Sequence, residues 1–174
     1  MKEYRFRYGD GEVVIPLDEG QVLGELHGNH VPAAASDPLR AALENPIGLP
    51  PLRQWTKPGE RVALVISDMS RFWMRQDKVI PPLVDYLRDE CGIPEDHVTI
   101  IVANGTHDGG DEKELRTLVT DGVYDRVRVV NHDCLAKDLV YLGTTAHDTP
   151  VWINAEAAHA DRVICLGACT HHVM

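Results

Sequence analysis

The sequence predicts an α/β protein with an open, mostly parallel sheet, helices on both faces and an N-terminal β-hairpin. Continuous apolar runs, typical of strands that are covered on both faces, alternate with helix-like segments. The runs are RVALVIS (61–67), HVTIIVA (97–103), RVRVVN (126–131) and DRVICLG (161–167). Because crossovers between parallel strands are right-handed, this alternation is typical of a doubly wound, Rossmann-like sheet.

The segments between these runs predict helices and one further strand. Helices are expected over 77–92, over 110–119 and, more briefly, over 154–160. Gly92 is a natural C-cap for the first of them, since glycine readily adopts the left-handed conformation that ends many helices. The stretch TPVWIN (149–154) predicts an additional short strand.

The N-terminal part has its own signals. Residues 3–17, EYRFRYGDGEVVIPL, form two alternating stretches around Asp10-Gly11, which predicts a β-hairpin. A short helix is expected near residue 38, capped by Ser36 or Asp37 and with Pro38 in its first turn.

Composition excludes several classes of protein. The 174 residues suit one compact domain, expected over 1–174. The net charge of −10, with no block of Lys or Arg, argues against a nucleic-acid or membrane partner. No apolar run approaches the ~20 residues that span a bilayer, and the alternating N-terminus does not resemble a signal peptide. With only four cysteines, a cytoplasmic protein is expected rather than a disulfide scaffold.

Polar side chains follow each of the main predicted strands. In an open α/β sheet, ligands bind outside the carboxyl ends of the strands, and parallel strands bring these ends to one edge. We therefore expect a functional site there. Its candidate segments are Ser67–Arg71, Asn104–His107, Asn131–Asp133 and Gly167–His172.

Each candidate also has a purely structural interpretation. Asp68 and Ser70 could cap the segment that follows the strand. Arg71 at a strand end can instead hold a carboxylate or phosphate in a planar two-point contact. His107 could bond nearby backbone, but its polar neighbours favour a functional role. For His132 we favour a structural role in a turn.

The last candidate segment could also be read as a zinc site formed by Cys169, His171 and His172. The spacing of its two cysteines does not match common zinc motifs, and Cys165 is expected to point into the core. A zinc hydrolase is therefore the least favoured interpretation. The chain also lacks the glycine-rich dinucleotide motif, the P-loop motif and the G-x-S-x-G motif of serine hydrolases.

Six stretches, in this order, resemble the nickel-dependent lactate racemase family and its 2-hydroxy-acid racemase and epimerase relatives. They are NPIGLPPL (45–52), VISDMSR (65–71), ANGTH (103–107), NHD (131–133), LGTTAHDTPVWIN (142–154) and DRVICLGACTHH (161–172). The resemblance extends from about residue 10 to the end of the chain and implies the N-terminal domain of a two-domain α/β enzyme.

The resemblance implies a mechanism and a set of residues. Family members invert a 2-hydroxy acid by removing and returning a hydride, using a nickel pincer nucleotide as cofactor and two histidines as acid/bases. By motif these histidines are His107 and His172. Asp68, Ser70, Arg71 and Thr106 correspond to the segments that contact the cofactor or substrate. The residues that follow Arg71 and His107 differ from the family's usual ones, so we expect a small 2-hydroxy acid as substrate without assigning lactate.

The family's lysine anchor for the cofactor and its protein ligand to nickel come later in sequence than His172. We therefore expect no metal ligand within this chain, and we expect the chain to be part of a longer protein whose C-terminal domain is its partner. Alone, it is expected to be inactive. The alternative is a non-catalytic anion- or nucleotide-binding module of the same fold.

Overall fold

The computed structural model describes residues 1–25, 28 and 37–169. The chain divides into two compact units, residues 1–34 and residues 35–174. The assignment of one domain to residues 1–174 stays a prediction. Within the described residues, no helix is long and apolar enough to cross a membrane.

The N-terminal unit contains an antiparallel hairpin of β1 (Lys2–Tyr8) and β2 (Gly11–Leu17). The predicted hairpin is therefore confirmed. Its turn lies one residue earlier than predicted, at Gly9 and Asp10, because Gly11 already pairs with Tyr8.

The second unit contains a parallel sheet with strand order β5-β4-β3-β8 and a separate antiparallel pair, β6 and β7. Together with the hairpin, this confirms the predicted α/β fold class. In chain order the elements of this unit are α1 (Pro38–Glu44), α2 (Leu52–Trp55), β3 (Val62–Ser67), α3 (Ile80–Asp89), β4 (Val98–Ala103), α4 (Glu112–Val119), α5 (Asp121–Tyr124), β5 (Arg128–Asn131), β6 (Val140–Thr144), β7 (Pro150–Ile153), α6 (Ala155–Ala158) and β8 (Arg162–Cys165).

The main core lies on one face of the parallel sheet. Alternate residues of a strand point to the same face, so Leu64 of β3 and Ile100 of β4 are both completely buried there. Ile80 and Leu87 of α3 are also completely buried and belong to the same cluster. Leu118 of α4 belongs to this cluster as well. Burial of these side chains is the main force that holds the helices to the sheet.

The predicted helices are present with shorter bounds. The helix predicted over 77–92 begins with a 3-10 turn, Gln76–Lys78, and continues as α3, whose first turn contains a proline. The helix near residue 38 is α1, and Asp37 caps it: Asp37 Oδ1 accepts from the Arg40 N–H at 2.9 Å. Ser36, the other candidate cap, lies outside the described residues.

Three elements were not predicted, and one prediction is wrong. Helices α2 and α5 have four residues each and strand β6 has a bulge, so none carries a strong periodic signal. The predicted strand at 149–154 exists as β7, but it pairs with β6 and does not join the main sheet. Cys165 is exposed instead of buried. It alternates with Ile164, the residue of edge strand β8 that packs against the core, and therefore points to the opposite face of the sheet.

Candidate functional site

The carboxyl ends of the four parallel strands lie at one edge of the sheet, as predicted. In the register of the sheet Ser67 of β3 lies opposite Ala103 of β4, and Val102 lies opposite Asn131 of β5. The loops that begin at Asp68, at Asn104 and after Asn131 therefore share this carboxyl edge.

Two of the predicted site residues are in direct contact. His107 Nδ1 lies 2.5 Å from Asp68 Oδ2, although the two residues are 39 positions apart in the chain. The Asp68 side chain is 14% exposed and that of His107 is 61% exposed. The carboxylate is therefore largely buried beneath the loops, and the imidazole reaches the solvent. The pair has the geometry in which a carboxylate orients a histidine that works on a ligand.

The hydrogen bonds of Asp68 bear on both of its interpretations, as a helix cap and as a site residue. Asp68 stands at the N-cap position of a 3-10 helix, Met69–Met74, but its side chain makes no capping hydrogen bond. Its second oxygen, Oδ1, instead accepts from the Ser70 hydroxyl at 2.6 Å. Burial tends to raise the pKa of Asp68, but the hydrogen bonds from Ser70 and His107 outweigh it and hold the pKa below its ordinary value. The carboxylate is thus charged at neutral pH.

Arg71 extends from the same loop. Its guanidinium is exposed, and its Nη1 donates to Ser70 Oγ at 3.3 Å. Across the described part of the chain, no carboxylate lies within ion-pair distance of Arg71, whereas Arg75 on the same loop is paired with Asp77 at 2.7 Å. Arg71 therefore remains free to bind an anionic ligand.

Gln76 closes this loop, and the sequence analysis did not identify it. Its side chain is almost completely buried, at 1% exposed. Gln76 Nε2 donates to the Ser67 carbonyl at 2.6 Å, and Gln76 Oε1 accepts from the Ser67 N–H at 3.3 Å. Strand β8 ends opposite Val65, so the Gln76 amide pairs with Ser67 beyond the end of that strand. A polar residue in a 3-10 segment carries no sequence signal for such a role.

The loop with His107 is a tight turn. Gly105 has a φ of +61°, in the left-handed region that glycine adopts without strain. The His107 N–H donates to the Asn104 carbonyl at 3.0 Å, which closes the turn. Thr106 is exposed at its tip. The turn thus explains why a buried strand ends by presenting a histidine.

A cavity of about 190 Å³ lies beneath these loops. Asp68, Asp108 and Glu114 all contribute to its walls, together with the buried Asn104. Three carboxylates make the cavity unfavourable for an anion. A carboxylate or phosphate would therefore bind on the side of the loop that carries Arg71.

Comparison with known proteins identifies the family. Residues 8–174 match the family described as the lactate racemase N-terminal domain. The chain belongs to this family. It is 24% identical over 177 residues to the lactate racemase of Thermoanaerobacterium thermosaccharolyticum, covering 99% of this chain and 41% of that protein. The structure of the lactate racemase apoprotein from that organism matches with a TM-score of 0.81 and 23% identity, over 94% of this chain and 38% of that one.

This lactate racemase N-terminal domain spans about two fifths of the length of the relative that it matches. The likeness confirms the predicted family and fold. It leaves the roles of the individual site residues as predictions.

Several predicted residues of the domain lie elsewhere or outside the described part. His171 and His172 fall outside the described residues, so the second acid/base and the zinc interpretation stay predictions. The backbone of His132 is held in place: its N–H donates to the Val102 carbonyl at 2.9 Å and its carbonyl accepts from Asn104 Nδ2 at 3.2 Å. Its ring Nδ1 is buried with no hydrogen-bond partner among the described residues, so the role of its side chain stays a prediction. In the described ranges, no group of three or more His, Cys, Asp or Glu residues is arranged to hold a metal ion.

Proposed function

We propose that this chain forms the N-terminal part of a racemase or epimerase that inverts a small 2-hydroxy acid, with His107 as one of two acid/bases. The observation that carries the proposal is the contact between Asp68 and His107 at the carboxyl edge of the sheet. Beside it lies Arg71, which bonds Ser70 and has no carboxylate partner among the described residues. The family membership supports the racemase class.

The Asp68 carboxylate orients the imidazole of His107. Because a charged carboxylate accepts hydrogen bonds, the proton on the ring is held at Nδ1, 2.5 Å from Asp68 Oδ2. The other ring nitrogen, Nε2, then presents a lone pair toward solvent. A lone pair in that position can take the hydroxyl proton of a 2-hydroxy acid, and the same nitrogen can return it.

Arg71 supplies the charge that the substrate or cofactor needs. A 2-hydroxy acid carries a carboxylate, and a nucleotide carries a phosphate; a guanidinium can hold either of them through two parallel hydrogen bonds. Ser70 lies between Arg71 and Asp68 and contacts both. The loop thus combines an anion-binding group with the residue that orients the base.

The proposed cofactor is a nickel pincer nucleotide, which when bound supplies the hydride acceptor and the metal. The anionic part of a nucleotide fits the Arg71 side of the loop. That this chain supplies no nickel ligand stays an expectation from the family resemblance. We propose that the lysine anchor and the nickel ligand come later in the sequence of the longer protein than His172. We also propose that His172 is the second acid/base, that Thr106 contacts the ligand, and that the protein acts in the cytoplasm.

The test uses the longer protein that contains this chain, loaded with cofactor and assayed by chiral chromatography on a panel of 2-hydroxy acids. Replacement His107→Gln removes the acid/base and should lower turnover by about 10²- to 10⁴-fold. The matched control is His159→Gln, which changes an exposed histidine that follows α6. The 174-residue chain alone should show no turnover.

Unchanged turnover in the His107→Gln protein would overturn the assignment of this residue. Binding of 2-hydroxy acids without any turnover in the longer protein would instead support a non-catalytic anion-binding module. In that case Arg71→Ala should abolish binding while His107→Gln leaves it intact.

A further inference from the structure

A single side chain, that of Asn131 at the end of β5, holds both ends of the loop that carries His107. At the start of the loop, Asn104 Nδ2 donates to Asn131 Oδ1 at 3.0 Å. At its end, the Gly110 N–H donates to the same oxygen at 3.2 Å, and the Gly110 carbonyl accepts from Asn131 Nδ2 at 2.8 Å. The Asn131 amide thus closes the loop with three hydrogen bonds.

The loop depends on this attachment because burial does not order it. Residues 105–109 are all exposed, whereas Asn104 is 3% exposed. The His107 N–H donates to the Asn104 carbonyl, so the position of the imidazole follows that of Asn104. Hydrogen bonds in a half-buried network are stronger than those in water, and they are what keeps an exposed loop in one conformation.

The backbone at Gly109, within the same loop, also packs closely against the Asn131 side chain. A Cβ at this position would lie 2.9 Å from Asn131 Cγ and 3.0 Å from Asn131 Nδ2. Asn131 could move aside only by giving up its hydrogen bonds to Asn104 and Gly110. The backbone at Gly109 therefore passes directly against the amide, with no space for a side chain.

We propose that Asn131 is a positioning residue that keeps His107 in contact with Asp68. Among the described residues it makes no hydrogen bond to either of them; it acts through the side chain of Asn104 and the backbone of Gly110. Only the catalytic consequence of this inference rests on the proposed function, because the geometry can be tested in the chain alone.

The test is nuclear magnetic resonance of the 174-residue chain. In the Asn131→Ala variant, amide exchange at Gly110 and His107 should rise at least about tenfold, because their hydrogen bonds are lost or loosened. The ring nitrogens of His107 should also move from a predominantly Nδ1-protonated tautomer toward the mixture of a solvent-exposed imidazole. A role confined to folding would not change this tautomer.

Two further variants and a control show whether the hydrogen bonds of Asn131 cause the change in the His107 loop. Asn131→Asp keeps the accepting oxygen but loses the donor to the Gly110 carbonyl, so its effect should be intermediate. Gly109→Ala keeps the Asn131 side chain but forces it away from its hydrogen-bond partners, so it should also loosen the loop, and it serves as the test if Asn131→Ala does not fold. Asn154→Ala is the control. Asn154 Oδ1 also accepts hydrogen bonds from backbone N–H groups, those of Glu156 and Ala157, but these belong to α6 and not to the His107 loop.

The inference is overturned if the tautomer and the exchange rates of the loop are unchanged in Asn131→Ala and Gly109→Ala, or if Asn154→Ala alters them equally. The proposed function fails separately. If the loop loosens as expected while turnover of the longer protein stays the same, then Asn131 positions His107 but His107 is not the acid/base.

Discussion

Replacement of Gln76 by methionine tests how the loop with Asp68 and Arg71 is held at the end of β3. Methionine has nearly the same length as glutamine, so the packing around this buried position is preserved. It has no amide, however, and the N–H and carbonyl of Ser67 lose their partners. The change therefore separates the hydrogen bonds from the space that the side chain fills.

The expected cost follows from these two backbone groups. A polar group left buried without a partner costs about 1–3 kcal/mol, and Ser67 is half-buried, so the sum is about 2–4 kcal/mol of unfolding free energy. Urea unfolding followed by circular dichroism measures this value. The control, Gln54→Met, changes an exposed glutamine on α2 and should stay within about 0.5 kcal/mol of the wild type.

Replacement of Gln76 by glutamate adds a pH signature. The introduced carboxyl can donate to the Ser67 carbonyl only when it is protonated, and burial disfavours its charged form. Its pKa in the folded protein therefore lies above that in the unfolded chain, so the stability lost relative to wild type should be larger at pH 7.5 than at pH 5. If Gln76→Met costs no more than Gln54→Met, or if the loss in Gln76→Glu is independent of pH, the two-point pairing with Ser67 is refuted.

Two further predictions concern buried titratable groups of α3 and its C-terminal end. Burial, followed by the hydrogen bond to Glu44 at 2.8 Å, raises the pKa of Tyr86 to about 12. The spectrophotometric titration curves of the wild type and Tyr86→Phe should therefore differ by one phenol that ionises late, and stability should fall as pH rises from about 10 to 12, a loss absent in Tyr86→Phe. A difference between the two curves centred near pH 10 would contradict this. Burial also raises the pKa of the Cys91 thiol, so Ellman's reagent at pH 7.5 should react quickly with three of the four thiols and slowly with Cys91. Four equally fast thiols would show that this part of the core is open.

The prediction of the fold was accurate where a run of neighbouring residues carried the signal. The strands 61–67 and 97–103 were identified from continuous apolar runs, and they are β3 and β4 almost to the residue. The short helices α2 and α5 were missed, because four residues are too few to show a period. Cys165 was misplaced because an apolar run does not reveal which face of its strand is covered.

Local periodicity and the family motifs in the sequence determined by themselves that this is an α/β chain whose polar loops follow its strands. They also placed His107, Asp68 and Arg71 among the site candidates. Only the tertiary structure decided that Asp68 meets His107, that Gln76 pairs with Ser67, and that Asn131 holds the loop of Asn104. The physical reason is distance along the chain: periodicity is set by neighbours a few residues apart, whereas these contacts depend on the order and register of the strands.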